Sequence, residues 1–487
     1  MTTIQIDGQD VEVDATKPLV HALHTNGTDV PTYCYHPGLS AVGSCRICQV
    51  EVAMGDGPGR VVVACRTPIA EGMKVFTSTD KAHAVRRECL EFLLKNHPLD
   101  CPICDKAGEC DLQDFSFAEG QAEGRSSEPR RNLDKRKSLG DVIVLDEERC
   151  ILCSRCVRFM EEVPKTPQLT VSGLGARSTI STFADRPLTG NYQGNLADVC
   201  PVGALTLKKF RFQARVWNLR KTPSTCGECS RGCSITNEVL RSNELKRIRP
   251  RYNGDVNEWW MCDAGRFSVD RHPLEGRLSG ALIRGETGLT TAPARVGMER
   301  VADALRTHAK PVVLGSAWLT VEEGQALVDL SKLLGVEARF VAPGPNDLAD
   351  DLLHTGDPCP NRRGLTELGL TAIDSAQALE AIAGTEAAVL IGERVLETIG
   401  AEALTEVPAT VRLFSFDTVA LDAPALRAAL GVPSSIERDG HWVNVDGHRG
   451  MLTIARPAPA DVASIVQSIE ELSSRLSPAE TSGGATS

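Results

Sequence analysis

The chain has 487 residues, 42% of them hydrophobic, with a formal net charge of −11 and 17 cysteines. That length exceeds a single hydrophobic core and predicts three to five domains, and the negative balance argues against bulk nucleic-acid binding. All cysteines but Cys359 lie before residue 263, many as Cys-x2-Cys pairs, which reads as reduced thiolates binding metal and not as a secreted disulfide scaffold.

No signal peptide is expected at the start. No apolar run approaches the ~18–20 residues that span a bilayer, so a role at a membrane is expected to run through partner subunits. Two basic stretches, 125–137 and 208–221, oppose the average charge. They read either as solvated surface or as a docking surface for an acidic partner or lipid headgroups.

The opening TIQIDGQDVEVD alternates apolar and polar residues about Asp7-Gly8, a β-hairpin signal. A short helix at 19–24 follows, then a glycine-rich loop with three cysteines, and strands at 49–52, 61–65 and 75–77. This is a β-grasp order, expected to fill residues 1–79. Asp80 is expected to cap a helix running to Asn96, with Val85, Leu90, Phe92, Leu93 and Leu94 as its apolar positions. His97-Pro98 stops it.

A cysteine segment completes 80–119. Residues 119–139 are polar and rich in helix breakers, a linker or surface loop. Further cysteine groups predict a ferredoxin-like domain over 120–215 and another cluster domain over 216–275. Beyond about 276, apolar runs at 311–314 and 388–391 alternate with amphipathic stretches such as 321–334. That is the rhythm of βα units on a mostly parallel sheet over 276–470. Residues 471–487 are expected to be a disordered tail.

Fifteen cysteines and one histidine sort by spacing into four sets. Iron–sulfur clusters want closely spaced thiolates on a strongly turned backbone and a remote one to close the cage. The first set is Cys34, Cys45, Cys48 and Cys65, with Gly38 and Gly43 letting the loop wrap. In a β-grasp setting this supports [2Fe–2S], with zinc as the alternative. The second set has three cysteines, Cys101, Cys104 and Cys110, and His97 as the nearest fourth ligand. A neutral imidazole in place of a thiolate shifts a cluster potential upward.

The third set is Cys150, Cys153 and Cys156, closed by Cys200-Pro201. Met160 occupies the position where two-cluster ferredoxins carry a fourth cysteine, so Cys200 serves the same [4Fe–4S] cluster. The fourth set is Cys226, Cys229, Cys233 and Cys262. It reads as [4Fe–4S] in preference to a zinc knuckle, which pairs CxxC with CxxC. Cys89 reads as a small buried apolar residue and Cys359 as a loop thiol. SGLGARS (172–178) lacks the third glycine of a dinucleotide fingerprint, so NADH and flavin are expected on a partner.

The segments YCYHPGLSAVGSCRICQVEV, LEFLLKNHPLDCPICDKAGECDLQD, RCILCSRCVRFMEEV, GNLADVCPVGAL and TCGECSRGCSI resemble, in order, the large iron–sulfur subunits of respiratory complex I, the proton-pumping NADH:quinone oxidoreductase. The resemblance implies that all 16 positions are cluster ligands: one [2Fe–2S] and three [4Fe–4S] clusters. It implies an oxidoreductase subunit that relays single electrons, peripheral on the cytoplasmic side of the membrane, with no catalytic side chain and no NADH or quinone site of its own. The implied partners are an NADH/FMN flavoprotein, a two-cluster ferredoxin-like subunit and other peripheral-arm subunits.

From the fourth set onward the chain resembles the amino-terminal part of molybdopterin oxidoreductases in reduced form, with ERDGHWVNVDGHRG (437–450) as a hairpin and no molybdopterin expected. The rival readings are a molybdenum or tungsten formate dehydrogenase subunit, the diaphorase subunit of an NAD-reducing hydrogenase, and a zinc scaffold.

Overall fold

In the computed structural model, which describes residues 1–308 and 310–477, β1 (Thr2–Ile6) and β2 (Gln9–Val13) form the opening hairpin. Its two turn residues, Asp7 and Gly8, have φ of +49° and +89°. Both must be positive in the turn whose twist matches a hairpin, hence Asp-Gly. α1 (Leu19–Thr25), β3 (Gln49–Met54), β4 (Arg60–Val63) and β5 (Met73–Phe76) complete a mixed sheet of order β2-β1-β5-β3-β4, with β1 parallel to β5. α1 buries Leu19, Val20 and Leu23 on it beside Ile4, Ile6, Val50 and Val75. Cys65 falls in a 3-10 turn (Ala64–Arg66) just after β4, not in the strand.

α2 (Asp80–Asn96) is capped by Thr79, whose hydroxyl accepts from the Ala82 N–H, and not by Asp80. Asp80 sits in the first turn, where the helix dipole favours a carboxylate. Of the expected apolar positions Leu90 is buried, whereas Phe92 is 81% exposed. A cation docks the helix where the apolar stripe is thin. Buried Arg86 donates to the Gln49 and Thr77 carbonyls (both 2.9 Å) and pairs with Glu119 of α3 (Asp111–Glu119) at 2.6 Å.

The rest of this first unit, which ends at Asn218, is built from short elements around cysteine loops. These are β6 (Lys137–Ser138), β7 (Ile143–Leu145), α4 (Arg155–Glu162), β8 (Leu169–Ser172), β9 (Thr179–Thr182), α5 (Asn195–Val199) and β10 (Leu205–Leu207). SGLGARS lies in the β8–β9 hairpin, a setting without the strand-to-helix turn of a dinucleotide site.

The second unit starts at Leu219. β11 (Leu219–Thr225), β12 (Ser234–Leu240) and β13 (Leu245–Pro250) form an antiparallel sheet, followed by α6 (Asp263–Arg266). There follow β14 (Ala281–Gly285), β15 (Gly288–Ala292), α7 (Ala294–Thr307), β16 (Val312–Ser316), α8 (Val321–Leu334), β17 (Arg339–Val341), α9 (Arg362–Glu367), β18 (Thr371–Ile373), α10 (Ser375–Ala383), β19 (Ala387–Ile391), α11 (Val395–Ile399), α12 (Ala401–Thr405), β20 (Arg412–Asp417) and β21 (Leu426–Gly431). β22 (Gly440–Val443) and β23 (Arg449–Leu452) pair as the hairpin expected within 437–450, and α13 (Ile465–Leu476) ends the described chain.

The sheet order is β15-β14-β21-β20-β19-β16-β17-β18, parallel from β21 to β18. In chain order those six strands run outward from β16 to one side and then from β19 to the other, a doubly wound arrangement. Successive side chains feed opposite faces. Val313, Val389 and Phe414 join α7, α8 and α13 in one core, and Leu314, Leu390 and Leu413 join α10, α11 and α12 in another. Burial on both faces explains the unbroken apolar run AAVLI in β19. No helix among the described residues is long and apolar enough to cross a membrane.

The tail expected from 471 is helical through Leu476. α13 buries Leu472 against the α7–α8 face, because Ile465, Ile469 and Leu472 lie on one helical stripe. Residues 478–487 lie outside the described residues. Replacing Leu472 by Ala should lower the stability of this unit by about 2–5 kcal/mol, measured by urea unfolding. An unchanged midpoint would mean that the helix is not packed.

Candidate metal centres

The first set closes between the β-grasp loop and the turn after β4. The Cys34 thiol meets those of Cys45 and Cys65, and Cys65 also meets Cys48. Hydrogen bonds within the set hold the Cys34 and Cys48 thiols below their ordinary value and push Cys45 and Cys65 above it. The loop turns at Gly43 (φ +70°), where a Cβ would stand 2.8 Å from the Arg66 side chain, and at Arg46 (φ +59°).

The second set hangs from the end of α2. His97 caps its C-terminus. Its Nδ1 is buried with no hydrogen-bond partner, and the ring is bonded to the Arg149 backbone. Burial, then the Arg149 charge, pushes its pKa down to about 4, so the imidazole is neutral at physiological pH, as ligation requires. His97, Cys101 and Cys110 line one cleft of about 730 Å3, and the Cys104 thiol faces both Cys101 and Cys110. Gly203 presses on it: a Cβ there would stand 2.1 Å from Cys104 Sγ. Arg215 donates to the Cys104 carbonyl at 2.6 Å and to that of Pro102.

In the third set Cys150, Cys153, Cys156 and Cys200 face one another. The turn between the first three puts Leu152 and Ser154 at φ of +53° and +58°. These are left-handed conformations that a non-glycine residue keeps only where its surroundings impose them. One arginine of α4 bonds this turn. Arg158 donates to the Cys34 carbonyl (2.5 Å), the Cys153 carbonyl (3.4 Å) and the Ser40 carbonyl, while Glu162 accepts from the Ser40 N–H (2.8 Å) and hydroxyl (2.5 Å). On the other side the Asp111 N–H donates to the Pro201 carbonyl at 3.1 Å, and Lys106 to that of Ala197 at 3.1 Å. The third set therefore touches the first through Arg158 and the second through Gly203.

In the second unit Cys226, Cys229, Cys233 and Cys262 converge. Cys262 Sγ accepts from the Gly265 N–H at 3.4 Å, and a Cβ on Gly265 would lie 2.8 Å from Cys226 Sγ. The Thr355 N–H and hydroxyl both bond to Cys229. The doubly wound sheet reverses between β16 and β19, where such folds open a ligand crevice. Here Trp318 donates to the Gly227 carbonyl at 2.8 Å and Trp442 to the Trp318 carbonyl at 3.2 Å, and Arg438 lies 3.6 Å from Glu323 and 3.3 Å from Glu393. Beside Cys226 lies a cavity of about 20 Å3, room for a water.

Among the described residues no group of three or more His, Cys, Asp or Glu side chains gathers as a single ion requires. A [4Fe–4S] cluster bonds each thiolate to a different iron, so its ligands stand farther apart than those of one ion, whereas a [2Fe–2S] cluster takes two thiolates on each of two irons. The converging thiols, the unpartnered His97 Nδ1 and the Gly203 and Gly265 approaches all suit clusters.

Reading cysteines alone missed Arg155, Arg158 and Arg215, although arginines two and five residues after Cys153, inside a buried turn, are the signal. Of the basic stretches, Arg215 is bonded as above, and Lys135 bridges Asp100 (2.7 Å) and Glu148 (2.8 Å). Cys89 is half-exposed and bonds to the Arg46 carbonyl, whereas Cys359 is the buried one, 3.2 Å from Arg362.

Four domain families match the chain: a 2Fe-2S iron-sulfur cluster binding domain (1–80), an NADH-ubiquinone oxidoreductase-G iron-sulfur binding region (86–125), an NADH-quinone oxidoreductase subunit 3 ferredoxin-like domain (140–206) and an NADH-ubiquinone oxidoreductase NDSU1/NuoG-like 4Fe-4S domain (220–270). The NADH-ubiquinone oxidoreductase 75 kDa subunit of Reclinomonas americana is 43% identical over 284 residues, 58% of this chain and 40% of that one. The mitochondrial NADH dehydrogenase (ubiquinone) iron-sulfur protein 1 of Solanum tuberosum is 39% identical over 333 residues, 68% of this chain and 44% of that one. Over those residues the chain is homologous to the large iron–sulfur subunits of NADH–quinone oxidoreductases. It spans less than half the length of these curated relatives. A chain of an NAD+-reducing [NiFe]-hydrogenase is 28% identical over 44% of this chain and 91% of its own, at a TM-score of 0.39 that bears on neither fold nor function.

Burial, then neighbouring cysteines, pushes Cys150 up to about 12 and Cys153 to about 11, from an ordinary 9.0. Raised values in the fold mean that without clusters these thiols stabilise it below pH 9, and the contribution is lost as pH rises through 11–12. Urea midpoints of cluster-free chain should therefore fall on going from pH 8 to pH 10.5, and those of the loaded chain, whose cysteines are already thiolates, should not. Equal pH profiles would mean that the thiols are not buried together before loading.

Proposed function

We propose that the chain is a peripheral-arm electron-relay subunit of an NADH–quinone oxidoreductase, seated on the cytoplasmic face of the membrane. One [2Fe–2S] cluster would be held by Cys34, Cys45, Cys48 and Cys65. Three [4Fe–4S] clusters would be held by His97/Cys101/Cys104/Cys110, by Cys150/Cys153/Cys156/Cys200 and by Cys226/Cys229/Cys233/Cys262. When bound, such clusters supply one-electron carriers. The chain itself fixes their spacing and excludes water, and no side chain acts as acid or base.

The reading is carried by the adjacency of three ligand sets in one unit: Arg158 bonds carbonyls of both Cys34 and Cys153, and Gly203 lies against Cys104. Of the ligand cysteines Cys101 is the exposed one, and Leu99, Ile103 and Phe117 close by are exposed too. That flank suits the outlet to a two-cluster ferredoxin-like subunit. The Cys34 set is then the receiver from an NADH/FMN flavoprotein, and the Cys150 set the middle station. Quinone reduction and proton translocation belong to partners. The domains we assign are 1–79, 80–119, 120–215, 216–275 and a vestigial molybdopterin-oxidoreductase-like region from 276 onward, its crevice filled by side chains and its cluster off the main path.

Anaerobically purified chain should hold about 14 iron atoms with matching acid-labile sulfide, and neither molybdenum nor tungsten. About 10 iron atoms with one zinc would make the Cys226 set a knuckle, and stoichiometric molybdenum would move the reading to a dehydrogenase. Replacing His97 by Cys should keep its cluster and lower its potential, since a thiolate adds negative charge. An unchanged potential in redox-poised EPR would remove His97 from the ligands. Replacing Cys153 by Ala should abolish NADH–quinone turnover of the assembled complex, and full turnover would sink the relay assignment.

A further inference from the structure

Arg155 lies between two ligand cysteines of the third set, yet its bonds reach all three cluster sites of the first unit. Nη2 donates to the carbonyls of Tyr35 (2.5 Å) and Thr32 (3.5 Å), which flank the Cys34 turn. Nη1 donates to the Val199 carbonyl at 3.3 Å, the residue before Cys200, and lies 3.8 Å from the carboxylate of Asp111, the residue after Cys110. The side chain is 8% exposed.

We propose that Arg155 is a positioning residue that fixes the mutual spacing of the three cluster sites and sets a permanent positive charge among them, so that it governs both the rate of electron passage and the reduction potentials. The proposal rests on the ligand sets assigned above. A guanidinium suits the task for two reasons. Its rigid planar fork holds several carbonyls in one fixed geometry, which the freely rotating donors of a lysine ammonium on a flexible stem do not impose. It also stays charged at every pH a protein meets. In a buried, weakly screened site a fixed cation favours the added electron, so each nearby cluster is easier to reduce. Because electron tunnelling falls steeply with distance, a small drift of any one loop slows passage.

The two contributions separate by substitution. Arg155→Lys keeps the charge and loses the fork, and Arg155→Gln loses both. The test uses the full chain purified anaerobically with its clusters. Iron is counted, each cluster's potential is read by redox-poised EPR, and the spin–spin broadening between neighbouring clusters reports their separation. With wild-type iron content, Arg155→Lys should weaken the broadening while leaving the potentials near wild type. Arg155→Gln should in addition shift the potentials of the Cys34 and Cys150 centres downward. In the assembled complex both should slow NADH–quinone turnover several-fold. Loaded Arg155→Lys with wild-type broadening, or loaded Arg155→Gln with wild-type potentials, would overturn the proposal. Should Arg155→Gln fail to load, Arg155→Lys decides alone. Absence of the three EPR signals from the wild-type chain would instead overturn the ligand sets.

Discussion

The cysteine loops of the first unit depend on bonds from arginine to backbone carbonyl. Loops that wrap a metal cluster cannot also bury a large apolar face, because their backbone must stay open toward the cluster and their turns are tight. Arg158 is 7% exposed and its guanidinium holds carbonyls of Cys34, Ser40 and Cys153. The same device recurs where Arg86 seats α2 on the β-grasp sheet and where Arg215 grips Cys104. A charged donor bonded to several carbonyls is about twice as strong per bond as a neutral pair. It also fixes direction, which apolar packing does not.

The extent to which this was legible in the sequence follows from which forces are local. The Asp7-Gly8 hairpin, the helix over 80–96 and α8 follow from turn chemistry and periodicity within a few residues. The proposed ligand sets rest on cysteine spacing, which cluster geometry restricts more sharply than any packing rule restricts apolar residues. The misreadings have a common cause, since each needed knowledge of a distant surface. Phe92 sits at an apolar position and faces out, because Arg86 and not a hydrophobic stripe meets the sheet. The polar run after residue 470 hides the stripe Ile465, Ile469, Leu472, whose partners are α7 and α8 far earlier in the chain. Cys359 is buried through a loop that bonds Asp357 to Ser230 and to Arg362.

The second unit solves a different problem with the same chain. Its strand order reverses between the paired strands β16 and β19, and just beyond their ends lie Trp318, Trp442 and the Arg438 pairings. Arg438, Glu323 and Glu393 are each less than 5% exposed. Two carboxylates and one guanidinium so placed are costly to desolvate, and replacing such groups with apolar side chains is often neutral or stabilising. A purely structural plug would more simply be apolar.

The charge distribution ties the units' chemistry together. The chain is acidic overall at −11, yet around the ligand sets of the first unit it buries the cations Lys106, Arg149, Arg155 and Arg158, together with Asp105, Asp146 and Glu147. Thiolate clusters bring negative charge, and each electron accepted adds more. A buried anion is tolerable only beside compensating cations. Arg155 and Arg158 are therefore spent inward, on the carbonyls of the cluster loops, whereas the basic stretches 125–137 and 208–221 are mostly exposed. The residues that matter most to these sites, after the cysteines, are arginines that a search for metal ligands passes over.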